Sequence, residues 1–154
     1  MSLSLGQQCL ELDGGLQQTL PKLCDEVCEY ILNHNVEGRF NSAVRFPDNF
    51  RLTITRLIQE GQMMVFRNEK GISGICGWVL VDKIEDVQKL RWIIPKDITS
   101  GKILYILIGV LSKGTKILDI KKRFEELGYR KKVDRVFWYN SVKTRRFDKG
   151  AFHG

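Results

Sequence analysis

The residues best suited to chemistry cluster where an apolar run meets an amphipathic stretch. Residues 112–116, Ser-Lys-Gly-Thr-Lys, lie between Ile103-to-Leu111 and a stretch with Ile117, Leu118, Ile120, Phe124 and Leu127 on one face. That change of period reads as strand, turn and helix. Backbone N–H groups from Lys113 to Lys116 would be the unpaired donors of a helix N-terminus, and the helix dipole adds positive potential there. Lys113 and Lys116 add full charges, and Gly114 lets a phosphate come close to the backbone. The combination suits a pyrophosphate. The plain alternative is a strand-to-helix turn whose lysines serve solubility.

The charge is uneven in the same sense. The chain has 154 residues and a formal charge of +7. Residues 113–154 hold 13 Lys and Arg against 5 Asp and Glu, whereas residues 1–37 hold six acids and Lys22 as their one base. A positive field over the C-terminal third attracts an anion, whether nucleic acid, an acidic partner or a phosphorylated small molecule. Cys9, Cys24, Cys28 and Cys76 lack the paired spacing of a zinc set. They read as free thiols in a reducing cytosol, which gives a cytoplasmic expectation. No apolar run reaches the roughly 20 residues of a membrane span, and no signal-peptide pattern opens the chain.

A single domain over residues 1–154 is expected from length and from the absence of repeats or linkers. Residues 16–33 carry helical spacing, with a stable start near Pro21. A second helix is predicted from Phe46-Pro47-Asp48, capped by Asp48 and closed by Gly61. Residues 63–66 and 72–81 read as a hairpin, with Gly74 and Gly77 marking a bulge or close approach. Residues 82–100 read as a loop with one short helix. Residues 102–111, apolar on both faces, read as a central strand. The helix of 116–128 stops at Gly128, and residues 133–139 form a further strand. This order describes a mixed α/β (α+β) sheet domain.

From Gly101 onward this order resembles the GNAT superfamily of N-acetyltransferases, as a divergent member. There, two helices precede a hairpin, and a long strand runs into a phosphate-binding turn, a helix and a second, splayed strand. The family's turn is usually Arg or Gln, two residues, Gly, one residue, then Gly or Ala. In this chain Gly114 matches one glycine, while Leu111 and Lys116 replace the first and last positions. The family also places an Asn after the next strand, an aromatic seven residues on, and Gly-Phe beyond. Asn140, Phe147, Gly150 and Phe152 stand at or within one residue of those places. The chain ends at Gly154, so against the family pattern the final hairpin is expected to be truncated or absent.

The resemblance implies a mostly antiparallel central sheet flanked by helices, with a V-shaped cleft between two parallel central strands. It implies acetyl-CoA, or another acyl-CoA, bound by Ile108, Gly109, Val110, Leu111, Lys113, Gly114, Thr115, Lys116 and Asn140. It implies acyl transfer to an amine by direct attack, on a small molecule or a protein. Such transfer needs a polarised carbonyl, a base for the amine and an acid for the thiolate. Backbone N–H groups near Ile108, Gly109 and Val110 would supply the first, and Gly109 would allow a bulge there. Phe147 occupies the place of the usual Tyr acid, which leaves Tyr139 and Tyr105 as substitutes and predicts slow turnover. His34, Glu60, Asp82, Glu85 and Asp97 are candidate bases, and Cys76 a candidate nucleophile; each has an ordinary structural role as its alternative.

Two other functions fit. Gly71 to Trp78 faintly resembles a strand of the toxin-activating lysine acyltransferases, which modify protein. Three basic clusters (Lys121-Lys122-Arg123, Arg130-Lys131-Lys132 and Lys143 to Arg146) lie among Phe124, Tyr129, Phe137, Trp138 and Tyr139, a composition that could bind nucleic acid. Exposed aromatics on the basic face would favour the nucleic-acid reading. A catalytically inactive acyl-CoA-binding protein is the third alternative.

Overall fold

A computed structural model of the chain describes residues 9–11, 17–139 and 144–148. Two short strands, β1 (Cys9–Glu11) and β2 (Gln17–Thr19), pair antiparallel and lead into α1 (Leu20–Asn33). Thr19 is still extended, and Pro21 occupies the first turn, where its missing N–H costs nothing. The helix thus starts one residue before Pro21, near the stable start expected there, and residues 17–19 of the predicted span are strand instead. Leu20, Leu23, Val27, Tyr30 and Ile31 form the buried face of α1.

A short α2 (Asn41–Arg45), not foreseen from the sequence, precedes α3 (Pro47–Gln59). Asp48 does not cap α3. Phe46 holds the cap position because Pro47 already fits the first helical turn, and Asp48 lies inside that turn. Gly61, at φ +72°, ends the helix as expected.

The main sheet has the order β3 (Met63–Asn68), β4 (Gly71–Val81), β5 (Ile103–Leu111), β6 (Arg135–Tyr139), β7 (Thr144–Asp148). It is mixed and mostly antiparallel: β3–β4, β4–β5 and β6–β7 are antiparallel pairs. The β7 strand was not foreseen, and it lengthens the C-terminal edge that a shortened hairpin would have removed. Helix α4 (Ile117–Glu126) and the single turn α5 (Tyr129–Lys132) join β5 to β6. The helix predicted over 116–128 stops at Gly128 as expected, whose φ of +76° a glycine adopts without strain, and the turn α5 beyond it was not foreseen.

Apolar residues pack on both faces of the sheet. One face carries α1, α2 and α3 over Ile75, Val79, Ile103, Tyr105 and Leu107. The other carries α4 and α5 over Cys76, Trp78, Leu104, Ile106 and Val136. This explains why 103–111 is apolar throughout.

Two register details position the site. Gly77 pairs with Ile108 while Trp78 pairs with Ile106, so Leu107 is an extra residue in β5. This bulge turns Leu107 and Ile108 to the same face, and both pack with α1 and α3. It falls two residues before Gly109, the position expected. The parallel pairing of β5 with β6 runs from Ile103–Arg135 to Ile106–Trp138, and β5 continues to Leu111. Among the described residues no helix is long and apolar enough to cross a membrane.

Candidate functional site

The C-terminal half of β5, past the bulge, meets the end of α1. Tyr30 and His34 are four apart, so they share one face of α1 and its exit, with ring centroids 4.3 Å apart. His34 Nδ1 lies 2.7 Å from the Tyr30 carbonyl oxygen. A carbonyl only accepts, so Nδ1 carries a proton. In the neutral ring Nε2 is then the free acceptor. That Nε2 lies 3.1 Å from Ser112 Oγ. Ser112 Oγ is in turn 2.5 Å from the Tyr30 hydroxyl, which also reaches the Val110 carbonyl oxygen at 3.2 Å. Ser112 itself is fixed by its N–H, which donates to the Ser73 carbonyl. The result is a hydrogen-bonded chain His34–Ser112–Tyr30 at the point where β5 enters its turn. Burial pushes the Tyr30 phenol above its ordinary pKa, with the Ser112 hydrogen bond opposing, so the hydroxyl keeps its proton at neutral pH.

Beside this chain, Arg39 Nη2 donates to the Gly109 carbonyl oxygen at 2.6 Å. Tyr30 and Arg39 thus hold consecutive carbonyls of β5. Among the residues expected from the sequence, His34 joins this cluster. Tyr30, Arg39 and Ser112 were missed. The i, i+4 spacing of Tyr30 and His34 was their one legible signal, because their third partner lies 78 residues away.

The expected anion site is altered by its own residues. The Thr115 N–H donates to the Ser112 carbonyl, and the Lys116 N–H donates to the Asp119 carboxylate at 2.8 Å. Two of the four expected donors are therefore satisfied internally, and a negative charge occupies the helix start. Among the described residues, the N–H groups of Lys113 and Gly114 have no protein acceptor. Gly114 has φ +104°, and nothing lies within 4 Å of where its side chain would begin. The Thr115 side chain is turned away, buried on Gly74 and bonded to Ser73 Oγ at 2.7 Å. Gly74 is thus a close-approach glycine. A β-carbon there would lie 2.8 Å from the Thr115 methyl.

The remaining candidates separate. Ile108 and Val110 pack in the core, and Gly109 lies under the Trp138 ring, which would be 2.8 Å from a β-carbon there. Leu111 is half-buried at the end of β5. Tyr105 is 3% exposed and packs on Phe137, 4.8 Å between centroids, so it lines the core rather than a site. The Tyr139 side chain and Asn140 lie outside the described residues. Cys76 is fully buried, and burial pushes its thiol up, which keeps it protonated and inert. Cys24 and Cys28 are buried free thiols with sulfurs 4.0 Å apart. Phe124, Tyr129 and Phe137 are buried, while Lys122, Arg130, Lys131 and Lys132 are exposed. Among the described residues no group of His, Cys, Asp and Glu could hold a metal ion.

Comparison with known proteins finds no family profile, no curated protein and no solved structure that matches the chain.

Proposed function

We propose that this chain is a coenzyme A-dependent N-acyltransferase of the GNAT kind, with His34 as the base that activates the amine. The observation that carries the reading is the His34–Ser112–Tyr30 chain at the end of β5, just beyond the Leu107 bulge and past the last β5–β6 pair. In this reading the V-shaped cleft lies beyond the Ile106–Trp138 pair, where β5 continues to Leu111. When bound, acyl-coenzyme A supplies the activated thioester. Backbone N–H groups along 108–110 polarise the carbonyl, and the N–H groups of Lys113 and Gly114 with the two lysines hold the pyrophosphate.

His34 Nε2 takes the proton as the amine nitrogen bonds to the acyl carbon and the C–S bond breaks. Tyr30, protonated and nearest to hand, serves as the acid in place of Tyr105. The Ser112 hydroxyl between them lets the proton gained by His34 restore the phenol. The acceptor is an amine, carried by a small molecule or a protein. Among the described residues the nucleic-acid reading loses support because Phe124, Tyr129 and Phe137 are buried and offer no stacking platform.

Calorimetric titration with acetyl-CoA tests the reading, with Gly114→Val as its probe. Valine at φ +104° is strained, and its branches fill the space beside the free N–H groups. Binding should be lost in the variant while its fold, checked by circular dichroism, persists. Equal affinity in the two proteins would remove the pyrophosphate from this turn. Salt-sensitive oligonucleotide binding with no acetyl-CoA binding would transfer the case to nucleic acid.

A further inference from the structure

We propose that Arg39 and Lys89 form an anion subsite beside His34 that takes the carboxylate or phosphate oxygens of a bound substrate. The inference rests on the acyltransferase reading for its place in a reaction, though not for its existence. Lys89 belongs to a single 3-10 turn, Lys89–Arg91, within the loop between β4 and β5. Its ammonium sits 3.6 Å above the Trp92 ring centroid and 6.0 Å from that of Phe40. The Arg39 guanidinium carbon lies 5.0 Å from the same Phe40 centroid. Two cations therefore share one aromatic ring.

This is a costly arrangement. Burial, and then the Arg39 charge, push the Lys89 ammonium down to about 7. Partial burial of the Arg39 guanidinium, where it is bonded to the Gly109 carbonyl, also lowers its pKa, although the residue as a whole is exposed. Among the described residues the ion pairs include Arg51–Asp25, Arg67–Glu26 and Arg130–Glu125, and neither Arg39 nor Lys89 has a carboxylate partner. The aromatic faces recover part of the cost, but they do not remove the repulsion between the two cations. An anion bridging them does.

The scaffold holds the pair in place. Trp92 Nε1 donates to Ser42 Oγ at 3.0 Å, and Thr53 Oγ1 donates to the Trp92 carbonyl at 2.8 Å, which locks the turn onto α2 and α3. Arg39 is itself exposed, so solvent and ligand reach it. Because Arg39 also grips Gly109, one residue from the Val110 carbonyl that Tyr30 reaches, the bound anion would lie next to the proposed base. An amine carrying an acid group would thereby be oriented toward His34. The same oxygens could come from the phosphates of coenzyme A, and the two sources are separable.

The experiment compares hexylamine, 6-aminohexanoate, inorganic phosphate and free coenzyme A by calorimetry, without acyl donor, on the parent, Arg39→Gln and Lys89→Met. The expected result is that 6-aminohexanoate binds about tenfold or more tighter than hexylamine, with the preference lost in both variants. Loss confined to coenzyme A and phosphate would keep the subsite and assign it to the donor. In the parent, NMR titration of the Lys89 side chain should show its midpoint rise from about 7 when inorganic phosphate is added. No anion preference in the parent, or a preference unchanged in both variants, overturns the subsite. An anion preference that persists while acetyl-CoA fails to bind upholds the subsite and rejects the acyltransferase reading.

Discussion

Replacing His34 with Gln should lower the rate of acyl transfer by about 10²–10⁴-fold, the usual worth of general acid–base catalysis, and leave acetyl-CoA affinity nearly unchanged. Gln keeps a polar atom near Ser112 Oγ, so the turn stays tethered, but its amide cannot take a proton at neutral pH. Thiol release under saturating acetyl-CoA measures the rate, and calorimetry measures affinity. Ser112→Ala separates two roles for the hydroxyl. As a link between His34 and Tyr30 its loss removes neutral hydrogen bonds, each worth about 0.5–1.5 kcal/mol, or up to about tenfold in rate. As a nucleophile activated by His34 its loss would equal that of His34→Gln, and an acylated serine would appear by mass spectrometry on mixing with donor. A rate within a few-fold of the parent in His34→Gln would discard the base and with it the observation on which the functional reading stands.

Much of the fold was legible because each element had its own period. The 16–33 and 117–127 patterns showed one apolar face, and 103–111 showed two, which forced it into the middle of the sheet. Errors came where a second local signal or a tertiary contact overrides the first. Asp48 looked like a cap, yet Pro47 had already set the helix start one residue earlier. The bulge was expected at Gly109 because glycine permits it, but it lies at Leu107, and Gly109 is small because the Trp138 ring covers it. The site was less legible than the fold. Its members come from residues 30–39, 89 and 112, and only pairing through the sheet brings them together. Asp119 could be read as a first-turn acid but not as the group that takes the Lys116 N–H. That contact, together with the Thr115 N–H bond to the Ser112 carbonyl, halves the donors available to an anion.

Trp78→Ala should cost about 3–5 kcal/mol of stability, the range for removing a large buried aromatic. Trp78 is 1% exposed, beside the register shift of β4 on β5. Its ring meets Phe124 and Tyr129 edge-on, with centroids 5.0 and 5.8 Å away, and those two meet each other at 5.7 Å. Its Nε1 donates to the Tyr129 hydroxyl at 3.0 Å. The triad holds α4 and α5 on the sheet, and α4 begins at the Lys113–Lys116 turn. Urea denaturation of the parent, Trp78→Phe, Tyr129→Phe and the double variant divides the effect. Tyr129→Phe alone strands a buried indole N–H and should cost about 1–3 kcal/mol, but clearly less once Trp78 is Phe, since no donor is then left unpaired. Trp78→Ala should weaken acetyl-CoA binding as well, because the turn loses its anchorage. A loss below about 1 kcal/mol, far under the range for such a deletion, would mean that α4 is held by other contacts and that the turn is not set by this cluster.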